Sequence, residues 1–139
     1  MTSWMYRAAL DGPASLGMLA VRLVAGSAFV LHGWPKFQNA FHWMPPEAPV
    51  PGFLQALAAL SEFGGGLAWI VGLLVPIASF GIACTMAVAM SFHIGRGDPF
   101  VGQGASWEPA VLYLTIALLL MLAGPGRFSL DRLLFRRAT

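Results

Sequence analysis

Between residues 13 and 34 the chain carries one formally charged side chain, Arg22, in a run otherwise dominated by apolar and small residues. Three further apolar blocks follow at 52–75, 77–94 and 109–123. A membrane-spanning helix needs roughly 20 mostly apolar residues, within a range of about 17–25. Lipid offers no hydrogen-bond partner to an open backbone, so such segments cross as helices. Charged residues make up 10% of the 139-residue chain and hydrophobic residues 58%. Soluble domains run near 25% charged, and this chain lacks the polar side chains to cover a globule in water. The expectation is an all-α integral membrane protein, a four-helix antiparallel bundle that forms a single domain over residues 1–139.

The first block is too long for a cleaved signal peptide and contains Arg22, which argues for a retained span. Cys84 is the single cysteine and falls in the third block, so a disulfide framework within one chain is excluded. Four crossings place both termini on one side, together with Arg7, Arg127, Arg132, Arg136 and Arg137; the opposite loops hold Lys36 and Arg96. Lys and Arg accumulate at cytoplasmic ends, so both termini are expected in the cytoplasm and the protein in the inner membrane.

The first outer loop is dense in proline and aromatic residues, which suits a lid on the outer interface. The second, rich in glycine and proline, is expected to be mobile. Residues 128–137 are expected to lie along the interface, with Phe128, Leu133 and Leu134 toward lipid and Arg132, Arg136 and Arg137 toward phosphate. Ser79, Ala83, Ala87 and Ser91 recur every four residues, a stripe that allows close helix packing.

Ionisable groups inside such blocks are costly and tend to pair inside the bundle. Arg22 sits about nine residues into the first block and Glu62 about ten into the second, entering from opposite sides. Both fall near mid-membrane, and each is expected to face the other, either fixing helix register or with Glu62 exchanging a proton under the influence of Arg22. His32, Glu62, His93, Glu108 and Tyr113 can converge on the outer half of the bundle. Each also has a plainer reading: the histidines as side chains reaching toward water, Glu108 as an acid at a helix start beside Pro109. A bis-histidine haem between His32 and His93, or a metal held by His32, His93 and Glu108, is geometrically conceivable but has no supporting motif.

In Arg22-Leu-Val with Gly26, Phe29-Val-Leu-His32-Gly-Trp-Pro-Lys36, Pro51-Gly-Phe-Leu, Glu62-Phe-Gly-Gly-Gly and Gly124-Pro-Gly-Arg-Phe-Ser-Leu-Asp131, the chain resembles the DoxX family of small four-helix membrane proteins. The resemblance spans roughly residues 15–134. It implies that fold, and a link to quinol oxidase and thiosulfate:quinone oxidoreductase systems or to redox-stress complexes. The function expected is a membrane subunit of an oxidoreductase system that binds a quinone or similar lipid-soluble carrier in a polar pocket open to the outer side. Glu62 and Arg22 would handle protons; His32, His93, Tyr113, Glu108 and Lys36 would bind the ligand. No metal site is expected, and a quinone is the one candidate cofactor, with the redox centre on a partner. The alternative is a non-catalytic membrane scaffold or lipid-binding module, with a small transporter behind it. Candidate partners are the lipid bilayer, a redox protein and a second copy of the chain; nothing points to nucleic acid.

Overall fold

The computed structural model describes residues 12–135, so Arg7, Arg136 and Arg137 of the expected arginine-rich side lie outside the described residues, as does the end of the 128–137 segment. The order is α1 (Pro13–Gln38), α2 (Gly52–Val71), α3 (Val75–Gly95), α4 (Glu108–Ala123) and the short α5 (Leu130–Phe135). No strand occurs among the described residues. By length and composition α1, α2 and α3 can each cross a membrane; α4 is a shorter apolar helix.

α1 starts on Pro13, whose missing N–H is no loss at a helix start, and buries Ser15, Met18, Arg22, Ala25, Gly26, Phe29 and Gly33. Their three- and four-residue spacing makes one stripe along the helix. That stripe lies on α2, and glycine makes the fit possible. A Cβ on Gly26 would come within 2.8 Å of the Gly66 carbonyl oxygen, and one on Gly33 within 2.5 Å of the Phe63 backbone nitrogen. The two backbones therefore touch, as small-residue seams in membranes allow.

α2 was expected to reach residue 75. It stops at Val71, because Gly72 takes a left-handed conformation and returns its N–H to the Ala68 carbonyl. Leu74 is also left-handed, at φ 51°, an unusual state for a leucine. The turn lets α2 and α3 run antiparallel: Trp69 donates its indole N–H to Ser79 Oγ at 2.9 Å, and Gly65 lies against Ile82. Within the expected small-residue stripe, Ser79 and Ala83 are buried, Ala87 is half-buried and Ser91 is exposed.

α3 in turn packs along α4, while α1 and α4 meet only slightly. The core joins Phe29, Trp69, Val75, Ile82, Met86, Ala117 and Leu120. Phe29 meets Trp69 edge-on at 5.4 Å and Tyr113 at 4.8 Å between ring centres. Large apolar side chains cover the outside: Val24 is 74% exposed and Leu31 75%. A surface of that kind is matched to acyl chains.

Candidate functional site

Arg22 and Glu62 do not pair. The contacts of Arg22 with α2 fall at Trp69 and Ile70, whereas Glu62 lies seven residues nearer the start of α2, about 10 Å along its axis. The guanidinium is 1% exposed and donates only to backbone carbonyls. Nε reaches Trp69 O at 2.7 Å and Nη2 reaches Ile70 O at 3.2 Å, both at the end of α2. Nη1 reaches Pro125 O and Phe128 O, each at 2.7 Å, in the turn after α4. Helix ends leave carbonyls without partners, and the planar fork of an arginine satisfies several at once.

The acid at this end of the molecule, called the inner end after the expected orientation, is Asp131, 0% exposed, which the sequence presents only as the last residue of the ending that carries the family resemblance. Its Oδ1 accepts the Leu74 N–H at 2.7 Å and its Oδ2 the Val75 N–H at 2.9 Å, capping the start of α3 from another element. Its own N–H goes to Gly72 O at 2.8 Å. Ser15 Oγ accepts the Arg127 N–H at 3.1 Å, tying the start of α1 into the same knot.

Glu62 finds its cation on α1. The helix continues through Pro35 as far as Gln38, four residues beyond the expected end, and so carries Lys36 above α2. Lys36 Nζ lies 2.7 Å from each carboxylate oxygen of Glu62. The Glu62 side chain is 4% exposed and that of Lys36 27%. On its other side the ammonium sits 4.7 Å from the centre of the Trp43 ring, a cation–π contact.

Trp43 belongs to the first outer loop, and Gln55 holds it there. The indole N–H donates to Gln55 O at 2.9 Å, the Met44 N–H to Gln55 Oε1 at 3.0 Å, and Gln55 Nε2 donates to Val50 O at 2.9 Å. The first outer loop thus folds back along the first turn of α2 and brings the Trp43 ring against Lys36. Beside it, Phe37 stacks on Phe63 at 4.9 Å and Trp34 lies 5.4 Å from the same ring.

The other expected site residues do not assemble around this pair. Gly81 of α3 lies opposite Ser61, and His93 is twelve residues farther along α3, about 18 Å outward of Glu62's level. His93 Nδ1 instead lies 2.7 Å from Asp98 Oδ2 and 3.1 Å from Arg96 Nη2. Arg96 Nη2 binds the same oxygen at 2.7 Å. The Arg96 guanidinium, and next to it the His93 ring, hold the Asp98 carboxyl below its ordinary value of 3.8. The second outer loop, expected to be mobile, is tied at its base: Trp107 N–H goes to Pro99 O, Glu108 N–H to Phe100 O, and the Phe100 and Trp107 rings lie 4.5 Å apart.

His32 is exposed on the outer face of α1, Tyr113 is half-buried against Phe29, and Glu108 stands half-buried at the start of α4. No hydrogen bond or ion pair joins any two of His32, Glu62, His93, Glu108 and Tyr113. Among the described residues no three His, Cys, Asp or Glu come together in a way that can hold a metal ion.

The DoxX family model matches residues 17–94, more than half of the chain. The chain belongs to the DoxX family. The matched stretch holds Arg22, Lys36 and Glu62 and stops short of Asp131. Across the DoxX relatives, the chain is 34% identical over 129 residues to the inner membrane protein YqjF of Escherichia coli, covering 88% of this chain and 95% of that one. It is 29% identical over 151 residues to the membrane protein Rv3486 of Mycobacterium tuberculosis, covering 99% and 91%. No solved structure matches.

Proposed function

We propose that this DoxX protein is the membrane subunit of an oxidoreductase system and holds the head of a quinone, or a similar lipid-soluble carrier, against the Lys36–Glu62 pair. In this reading the chain is an antiparallel four-helix bundle in the inner membrane with both termini cytoplasmic, so the pair lies toward the outer side. The excess of arginine at the opposite end supports that orientation.

The observation that carries the reading is the pair itself: a lysine and a glutamate in mutual contact under an aromatic lid, among otherwise apolar helices. A quinone head presents carbonyl oxygens and needs a donor and a group that exchanges protons. The ammonium has three N–H donors; two face Glu62, which leaves one for a ligand oxygen. Glu62 can take or return a proton while Lys36 keeps the local charge. Trp43 and the Phe37–Phe63 stack offer flat surfaces beside them. Tyr113 is assigned a deeper donor role, and Arg22 is withdrawn from proton handling because its donors are engaged on carbonyls. The redox centre would sit on a partner.

The alternative, a non-catalytic membrane scaffold or lipid-binding module, draws on the inner end, where Arg22 and Asp131 both act on backbone groups. Native mass spectrometry of the protein drawn gently from its own membranes separates the two. Retained quinone that disappears in Lys36→Gln, at unchanged yield of folded protein, supports the carrier reading. Retention of phospholipid alone in the unaltered chain overturns it.

A further inference from the structure

After α4 the sequence holds four arginines, Arg127, Arg132, Arg136 and Arg137, and one acid, Asp131. An acid at the surface of such a segment would weaken its attraction for anions. Here Asp131 is turned fully inward onto the Leu74 and Val75 N–H groups. Its negative charge is thereby used at the start of α3, and the outward side of the segment is left basic and apolar.

The apolar part is ordered by helical spacing. Leu130, Leu133 and Leu134 stand at three- and four-residue spacing on one flank of the helix, and Leu133 is 70% exposed and Leu134 57%. Phe128 is 47% exposed beside them. Arg127 is exposed, and its backbone N–H is fixed on Ser15 Oγ, which sets where the side chain leaves the protein. This face continues the apolar outer surface of the long helices. A protein partner would have to interrupt that continuity, whereas a bilayer extends it.

We propose that the outward face of α5, with Arg127 beside it, docks on anionic phospholipids of the leaflet at this end of the molecule. Arg127 meets the headgroup phosphates, and Phe128, Leu133 and Leu134 enter the boundary with the acyl chains. Arginine suits phosphate because its planar fork can donate two parallel hydrogen bonds. Asp131 sets the orientation: it anchors the segment from below, so that the apolar face turns to the lipid. The proposal is independent of the quinone reading and of which side of the membrane this end occupies.

The test uses the full chain in nanodiscs of equimolar phosphatidylglycerol and phosphatidylcholine with identical acyl chains. Native mass spectrometry reads which lipid stays bound. The unaltered protein is expected to prefer phosphatidylglycerol, and Arg127→Gln to lower the preference about fivefold, the factor set by about 1 kcal/mol per surface arginine; Arg127→Lys should keep most of it. Arg127 contributes only its backbone to the knot, so this variant folds if Ser15 still accepts its N–H. A second readout places an environment-sensitive dye at Leu134→Cys in a Cys84→Ser chain, quenched by lipids brominated along the acyl chain and by aqueous iodide. Quenching by the brominated lipid supports docking. Equal retention of the two lipids by the unaltered chain, an unchanged preference in Arg127→Gln, quenching by iodide alone, or shielding from both quenchers each overturns it.

Discussion

The two ends of the molecule treat buried charge in opposite ways. At the inner end Arg22 and Asp131 each contact backbone: one gathers carbonyls from two helix ends, the other caps the start of a third helix. At the outer end Lys36 and Glu62 contact each other, with the lysine partly open to its surroundings. A charge committed to backbone is fixed by the fold and cannot change partners without unmaking a helix end. A side-chain pair can exchange a proton or admit a third group while the backbone stays in place. The difference teaches where chemistry is available: at the outer pair, although the inner arginine is the more deeply buried.

The comparison breaks most readily at Arg22. Arg22→Ala leaves four carbonyls without their donor and should destabilise the protein by about 3–5 kcal/mol, the range for disrupting a buried charged network. Accumulation in the membrane fraction and thermal unfolding in a single detergent should both report it. Near-normal stability would mean that water or lipid replaces the guanidinium and that the inner end is as adaptable as the outer.

Next comes Asp131→Ala, which removes two charge-assisted hydrogen bonds and should cost about 2–3 kcal/mol by the same measurement. Asp131→Asn, which can still accept one of them, should cost less. Gly72→Ala belongs with this pair. Its φ of 72° disfavours any side chain, and the added Cβ would press on Arg22 Nη2.

The outer pair should be milder. Lys36→Met and Glu62→Gln should each cost about 1–2 kcal/mol, reduced by the exposure of the lysine. Combined, they should cost less than the sum of the two, as a double-mutant cycle would measure. Costs that match Arg22→Ala would make this pair a structural tie and weaken the proposed function.

The smallest effect is expected at Asp98. A carboxyl held low by Arg96 and His93 stabilises the loop fully above about pH 3.8 and loses that contribution as pH falls through its lowered value. Amide exchange at Asp98 and Glu108, corrected for intrinsic rates, should accelerate only below that point. Acceleration already near neutrality would show that another group governs the loop.

Much of the fold was legible because apolar blocks of spanning length leave few alternatives, and Pro13, Gly72 and Gly124 stand at or beside the helix ends. The pairing of Glu62 was misread for a geometric reason. Depths counted from assumed helix ends put Arg22 level with it, but α1 outruns its expected end and α2 falls short of its own. Lys36, read as a loop residue, is still helical and therefore within reach. The role of Asp131 depends on contacts across more than fifty residues, which no local pattern encodes; its one visible signal was to be the sole acid among the closing arginines. Gln55 offered no signal beyond being a lone amide in an apolar helix. Asp98, read only as part of a mobile loop rich in glycine and proline, sits just after Gly97, whose left-handed φ of 77° follows the helix end and swings the carboxyl back toward His93.

α4 has 16 residues and α1 has 26. At about 1.5 Å per residue they measure roughly 24 and 39 Å, against a hydrocarbon core of about 30 Å. Because these two helices meet only slightly, the bilayer meets a short wall along one flank and a tall one along another. Where α4 crosses the bilayer, as the proposed topology has it, lipid beside it thins, at a fraction of a kcal/mol per ångström of mismatch. Two copies meeting through α4 would share one thinned patch instead of maintaining two, and bilayer elasticity alone would draw their short flanks together.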